Sequence, residues 1–159
     1  HGRRGELRIA GVPIGAEIPM TPLRAGGDQE VGSIIIVVAT DAPLPPHQLE
    51  RIARRATLGL ARTGATSGNG SGDIFIAFST ANPKAASAAG VASVQMVSND
   101  RISGLFSATV QATEEAIVNA LVAGETMRGI DGRVVTALPH DTLKSPLKKY
   151  GRQPSTVNR

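Results

Sequence analysis

Two periodicities divide the chain, and the switches between them mark its elements. Ile34–Thr40 is a continuous apolar run, which predicts a strand buried on both faces. From Gln48 to about Arg62 the apolar residues Leu49, Ile52, Ala53, Ala56 and Leu60 recur at helical spacing, with Glu50, Arg51, Arg54 and Arg55 on other faces; this predicts a helix packed on a sheet. Asp73–Thr80 reads as a second buried strand. Apolar residues at 102, 105, 106, 110, 117, 118, 121 and 122 predict a long helix from Ile102 to about Glu125 with one strong apolar face.

Weaker signals fill the rest. Leu7–Val12 alternates in strand fashion until Pro13 ends it, and Arg133–Ala137 follows the turn Gly129-Ile130-Asp131-Gly132 as another strand. A short helix is expected after Pro139, then a polar tail. Asp41-Ala42-Pro43-Leu44-Pro45-Pro46 turns the first buried strand into the first helix, since proline is tolerated in a helix's opening turn. Residues 14–32 read as an exposed connection with Asp28 and Glu30 near its end, and residues 63–72 as a polar, glycine-rich loop. No internal repeat is evident.

Composition narrows the chemistry. The 159 residues suit one domain, and with three Phe, one Tyr and no Trp its core must be built from Ile, Val, Leu and Ala. Absence of cysteine excludes disulfides, thiolate metal sites and a cysteine nucleophile. No apolar run is long enough for a membrane helix, so no membrane partner is expected, and the chain reads as soluble, cytoplasmic or periplasmic. The net charge of +4 lies chiefly at the two ends and on one helix face. Without aromatic stacking residues or a reading motif it is taken as solvated surface, and no nucleic-acid partner is expected. His1, His47 and His140 have no spacing that suggests a metal site or a triad, and no cofactor is expected. The opening His1-Gly2-Arg3-Arg4 reads as the continuation of a longer polypeptide.

The candidate chemistry lies at Gly32-Ser33, at the threshold of the first buried strand. If that peptide bond is cut, Ser33 becomes N-terminal, a hydroxyl nucleophile carrying its own α-amine as a base of ordinary pKa about 7.7–8.0. Glycine at 32 eases attack on its carbonyl, since no Cβ obstructs the approach. At the mouth of the second strand, Ser71 and Asp73 are candidates to join it. From the residues alone the simpler reading is favoured, Ser71 as a turn former and Asp73 as a cap or a partner for Arg54 or Arg62. Thr66, Ser67 and Asn69 could line a cleft or merely shape the loop.

Four stretches together resemble one family: Gly-Ser-Ile-Ile-Ile-Val-Val-Ala-Thr-Asp-Ala-Pro-Leu (32–44), Gly-Ser-Gly-Asp-Ile-Phe-Ile-Ala-Phe-Ser-Thr-Ala-Asn (70–82), Ala-Thr-Glu-Glu-Ala-Ile-Val-Asn-Ala-Leu (112–121) and Asp-Gly-Arg-Val-Val-Thr-Ala-Leu-Pro (131–139). They are similar, in order, to the L-aminopeptidase D-Ala-esterase/amidase and β-aminopeptidase group of self-processing serine hydrolases. The resemblance implies an α+β fold, a four-layer αββα sandwich like that of N-terminal nucleophile hydrolases but differently connected. It implies autocleavage between Gly32 and Ser33, leaving residues 1–32 as the tail of an α chain and 33–159 as a β chain, parts of one domain. Ser33, Ser71 and Asp73 are the catalytic residues it implies, although some members carry Glu where this chain has Asp73. The implied activity releases N-terminal residues from small peptides, amides or esters through an acyl-enzyme on Ser33. The oxyanion asparagine and the amine-binding residues would lie upstream, on the α chain that is the expected partner in an oligomer of α/β heterodimers. An acyl transferase of the ornithine acetyltransferase type, whose nucleophile is threonine, and a noncatalytic or unprocessed relative are the alternatives.

Overall fold

The computed structural model describes residues 2–18, 32–87 and 90–152. Its organising unit is a strand–helix–strand. Strand β1 (Ile35–Thr40) leads through the proline-rich turn into helix α2 (Pro46–Arg62), and strand β2 (Ile74–Ser79) returns parallel to β1. Ahead of them, Ile14–Glu17 forms a single helical turn, α1. Beyond them come the long helix α3 (Ser103–Ala123), a short antiparallel pair β3 (Met127–Arg128) and β4 (Val134–Val135), and helix α4 (His140–Lys149).

Helix α2 begins with Pro46 in its first turn, where a missing N–H costs nothing. It stops where the buried Thr63 returns its hydroxyl to Leu60 O at 2.8 Å and Gly64 takes φ +95. Glycine just past a helix end is the residue that adopts such a φ without strain.

One face of the β1–β2 pair packs on α2: Val38 and Ala77 join Leu44, Leu49, Ile52, Ile102, Leu105 and Phe106 in a single apolar cluster. Helix α3 lies against α2. The two backbones approach closely at Gly59, where a Cβ would stand 2.6 Å from both Val110 O and Thr113 Cβ. The most buried residues of α3 are Thr109 and Thr113, not its larger apolar ones. Each donates its hydroxyl to the carbonyl four residues back, Leu105 and Thr109, at 2.8 Å. A threonine bonded this way offers its neighbour a methyl surface, so Thr109 and Thr113 fill out the apolar face expected of α3, on which Leu105, Phe106, Val110, Ile117, Val118 and Leu121 are half-buried and Val122 alone is exposed.

Three expectations change. β1 and β2 are covered on one face only: Ile35, Val37, Ile74, Ile76 and Phe78 alternate outward, Ile35 at 65% exposure and Phe78 at 46%. Their continuous apolar pattern is that of strands with two covered faces, and the second cover is not among the described residues. Leu7–Val12 is a tight hairpin, not a strand. Ile9 and Val12 exchange both backbone hydrogen bonds, at 3.1 and 2.9 Å, across Ala10 and Gly11, which take φ +52 and +79. Two successive positive φ values make the turn that reverses a chain most tightly. The residues around it, Ile9, Val12, Ile14 and Ile18, form a second buried cluster against Val118, Leu138, Leu143 and Leu147. The exposed connection expected over 14–32 begins instead as the helical turn α1, with Ile14 and Ile18 buried because they close the cluster under the hairpin; residues 19–31, with Asp28 and Glu30, and the polar tail past Arg152 lie outside the described residues.

Candidate active site

In a parallel pair both strands begin at the same edge of the sheet. The register Ile35↔Ile74 therefore places the residues just before β1 beside those just before β2. Three successive contacts stitch this mouth. Ile74 N–H donates to Ile34 O at 3.0 Å, Ile34 N–H donates to Asp73 Oδ1 at 3.1 Å, and Gly72 N–H donates to Ser33 Oγ at 2.8 Å.

Each residue type is matched to its place. Gly32 takes φ +133, a conformation that glycine alone adopts readily. A Cβ on Gly72 would lie 3.4 Å from Ser33 Oγ, an ordinary van der Waals contact, which places the residue directly against the hydroxyl its amide bonds. Ser33 is exposed and Asp73 half-buried. An amide N–H aimed at Oγ stabilises negative charge developing on that oxygen, and a carboxylate on the adjacent amide fixes the backbone that presents it.

Of the three residues singled out in the sequence, Ser33 and Asp73 thus lie at the same strand mouth, each bonded to the backbone of the other's neighbour. Ser71 stands just upstream, half-buried, with its N–H in a turn to Gly68 O at 2.8 Å. The plainer pairings offered for Asp73 are taken up elsewhere: Arg54 pairs with Glu50 and Arg62 with Glu114. Thr66, Ser67 and Asn69 are exposed in the loop, Ser67 at φ +49. His47 is exposed at the start of α2, and His140 bonds Val122 O at 2.8 Å, away from the site. Among the described residues no group of His, Asp and Glu is arranged to hold a metal ion, and no helix is long and apolar enough to cross a membrane. Gly72 escaped the sequence reading. Its only signal there is its position between two candidate polar residues.

With this geometry in view, comparisons with known proteins carry weight. The model of peptidase family S58 matches residues 1–135. The β-peptidyl aminopeptidase BapA of Sphingosinicella microcystinivorans is 48% identical over 95% of this chain and 41% of its own length. Among solved structures, the L-aminopeptidase D-Ala-esterase/amidase of Ochrobactrum anthropi, described as a prototype of the serine aminopeptidases and a new variant of the N-terminal nucleophile hydrolase fold, superposes with TM-score 0.83 at 47% identity, covering 97% of this chain and 42% of that one. A β-aminopeptidase from a Burkholderia species gives TM-score 0.81 at 44% identity, covering 97% and 43%. The chain spans about two fifths of the length of these relatives. Its α+β architecture is that of the N-terminal nucleophile hydrolase variant, as the four sequence stretches implied.

Proposed function

From the premise that the chain belongs to peptidase family S58, we propose that it is the nucleophile-bearing part of a self-processing aminopeptidase or amidase. The observation that carries this reading is the strand mouth, where Ser33 Oγ receives the Gly72 amide at 2.8 Å behind a glycine at φ +133. In self-cleavage the Ser33 hydroxyl attacks the Gly32 carbonyl carbon and gives its proton to a base. The C–N bond then breaks as the Ser33 nitrogen takes up a proton, leaving an ester. Water hydrolyses the ester, freeing the Gly32 carboxylate and a Ser33 with both hydroxyl and α-amine. In turnover the same hydroxyl attacks a substrate amide or ester, and water releases the acyl group.

Residues 1–32 are then the end of an α chain and 33–159 a β chain. The uncovered sheet face bearing Val37, Ile76 and Phe78 is suited to a second apolar layer from the rest of the protein, completing an αββα order. Asp73 orients the strand mouth. The base is the Ser33 α-amine or Ser71 acting as a relay, and a kcat–pH profile separates them, because only the amine titrates near neutrality. Relatives named as β-peptidyl aminopeptidase and L-aminopeptidase D-Ala-esterase/amidase support a substrate with a free N-terminal amino group on a small peptide, amide or ester.

The test is intact mass and hydrolysis of the full-length protein with Ser33→Ala beside it. The wild type should yield a species beginning at Ser33 and release N-terminal residues, and the variant should do neither. A variant that still hydrolyses its substrate refutes the assignment.

A further inference from the structure

Backbone contacts tie the stretch ahead of the cleaved bond to the loop that builds the site. Arg8 N–H donates to Thr63 O at 3.0 Å. Gly64 lies so close to Glu6 that a Cβ there would stand 1.9 Å from the Glu6 carbonyl oxygen, and a Cβ on Gly2 would meet Ala65 Cβ at 3.6 Å. The root of the 64–72 loop is therefore held between the end of α2 and residues 6–8. Its far end is held too, by Gly72 on Ser33 and Asp73 on Ile34. The turn from Ser71 N–H to Gly68 O draws in the path between them. A short loop anchored at both ends has little slack, so a displaced root shifts the residues at the nucleophile.

The same stretch keeps its place independently of the Gly32–Ser33 bond. Ile9, Val12, Ile14 and Ile18 are buried against the α4 side of the molecule, and Glu17 accepts from Lys149 Nζ at 2.9 Å and from Tyr150 OH at 2.9 Å. None of these contacts passes through the bond to be cut.

We propose that residues 6–8 remain a working part of the site after cleavage, and that Gly64 is a positioning residue that sets where Gly72 meets Ser33 and Asp73 meets Ile34. This rests on the reading of Ser33 as nucleophile and of Gly32–Ser33 as the cut.

The test compares Gly64→Ala with Gly11→Ala in the full-length, naturally processed protein. Gly11 has a similar positive φ, +79, in the same segment, but nothing lies within 4 Å of its Cβ position, so it reproduces the backbone strain without pressing on the loop. Both variants should lose thermal stability. Only Gly64→Ala should lower kcat, by about tenfold or more with KM within about twofold, because a small misplacement at the reacting atoms is costly. It should also slow appearance of the Ser33-starting species. If the wild type is cut and active while Gly64→Ala matches Gly11→Ala in kcat, the proposal is overturned. A wild type that is neither cut nor active overturns the reading beneath it.

Should Gly64→Ala fail to fold, Arg8→Pro takes its place with Arg8→Ala as control. Proline removes the amide donor to Thr63 O, and Leu7 at ψ 127 is already out of the helical region that a following proline disfavours. Selective loss of kcat in Arg8→Pro supports the proposal, and equal kcat in the two variants overturns it.

Discussion

Removing the Asp73 carboxylate isolates what that side chain does for the strand mouth. Its Oδ1 takes the N–H of Ile34, the residue directly after Ser33, at 3.1 Å. A hydrogen bond to a charged acceptor is worth about 1.5–3 kcal/mol, and one between neutral groups about 1 kcal/mol. Ile34 is half-buried, so an abandoned N–H there regains part of its hydration. Asp73→Ala should accordingly cost about 1.5 kcal/mol, the low end of that range. Asp73→Asn retains an oxygen acceptor and loses only the charge, which should cost about 0.5–1 kcal/mol. The assay is urea unfolding in the Ser33→Ala background, where the chain stays whole and one transition can be followed. Self-cleavage with Ser33 restored should slow in the same order, more for Ala than for Asn. Equal losses for the two variants, or a loss for Ala below about 0.5 kcal/mol, would refute the argument that the carboxylate holds the Ile34 amide.

Gly59→Ala should destabilise the protein: filling the α2–α3 contact costs about 1–3 kcal/mol by overpacking, against about 1 kcal/mol gained in helix propensity. The same change at Gly104, whose Cβ position meets nothing within 4 Å, should be neutral or stabilising, and thermal melting of the two variants checks the contrast. The Lys149 hydrogen bond, then that of Tyr150, holds the Glu17 carboxyl below its ordinary value of 4.5. A lowered acid contributes stability above its unfolded value and loses it as pH falls through the folded one, so docking of α1 on α4 should weaken below about pH 4.5. The same bond to Glu17 raises Lys149 above 10.5, so its contribution is complete below that value and fades as pH climbs past it. NMR signals of the Tyr150 ring report the contact, and Glu17→Gln should abolish the acid-side change.

Legibility varied with how local the cause was. α2 was readable nearly to its ends because its apolar spacing and its boundaries, Pro46 and Gly64, lie within the segment itself. Both strands were legible as apolar runs. The hairpin at Ile9–Val12 was misread because alternation over so short a stretch does not distinguish a strand from a turn between two paired residues. Its Gly11 was the signal. α3 and its apolar face were legible as well, but not the two threonines at its centre, since a threonine's hydroxyl can bond its own helix and leave a methyl to pack. Residues 133–137 shortened to a two-residue strand because β3 offers it only Met127 and Arg128 as partners.

The sequence by itself determined the family, the helix and strands around Gly32-Ser33, and Ser33 as the candidate nucleophile, because those rest on residue type and spacing along the chain. Only the tertiary structure decided which groups meet at Ser33. A parallel register brings Gly72 to it, and Asp73 to Ile34 beside it, from a strand mouth far along the chain, and the close approach of Glu6 to Gly64 sets the other end of their loop. Such meetings depend on ångström-scale backbone approach between segments remote in sequence, which periodicity and composition do not encode.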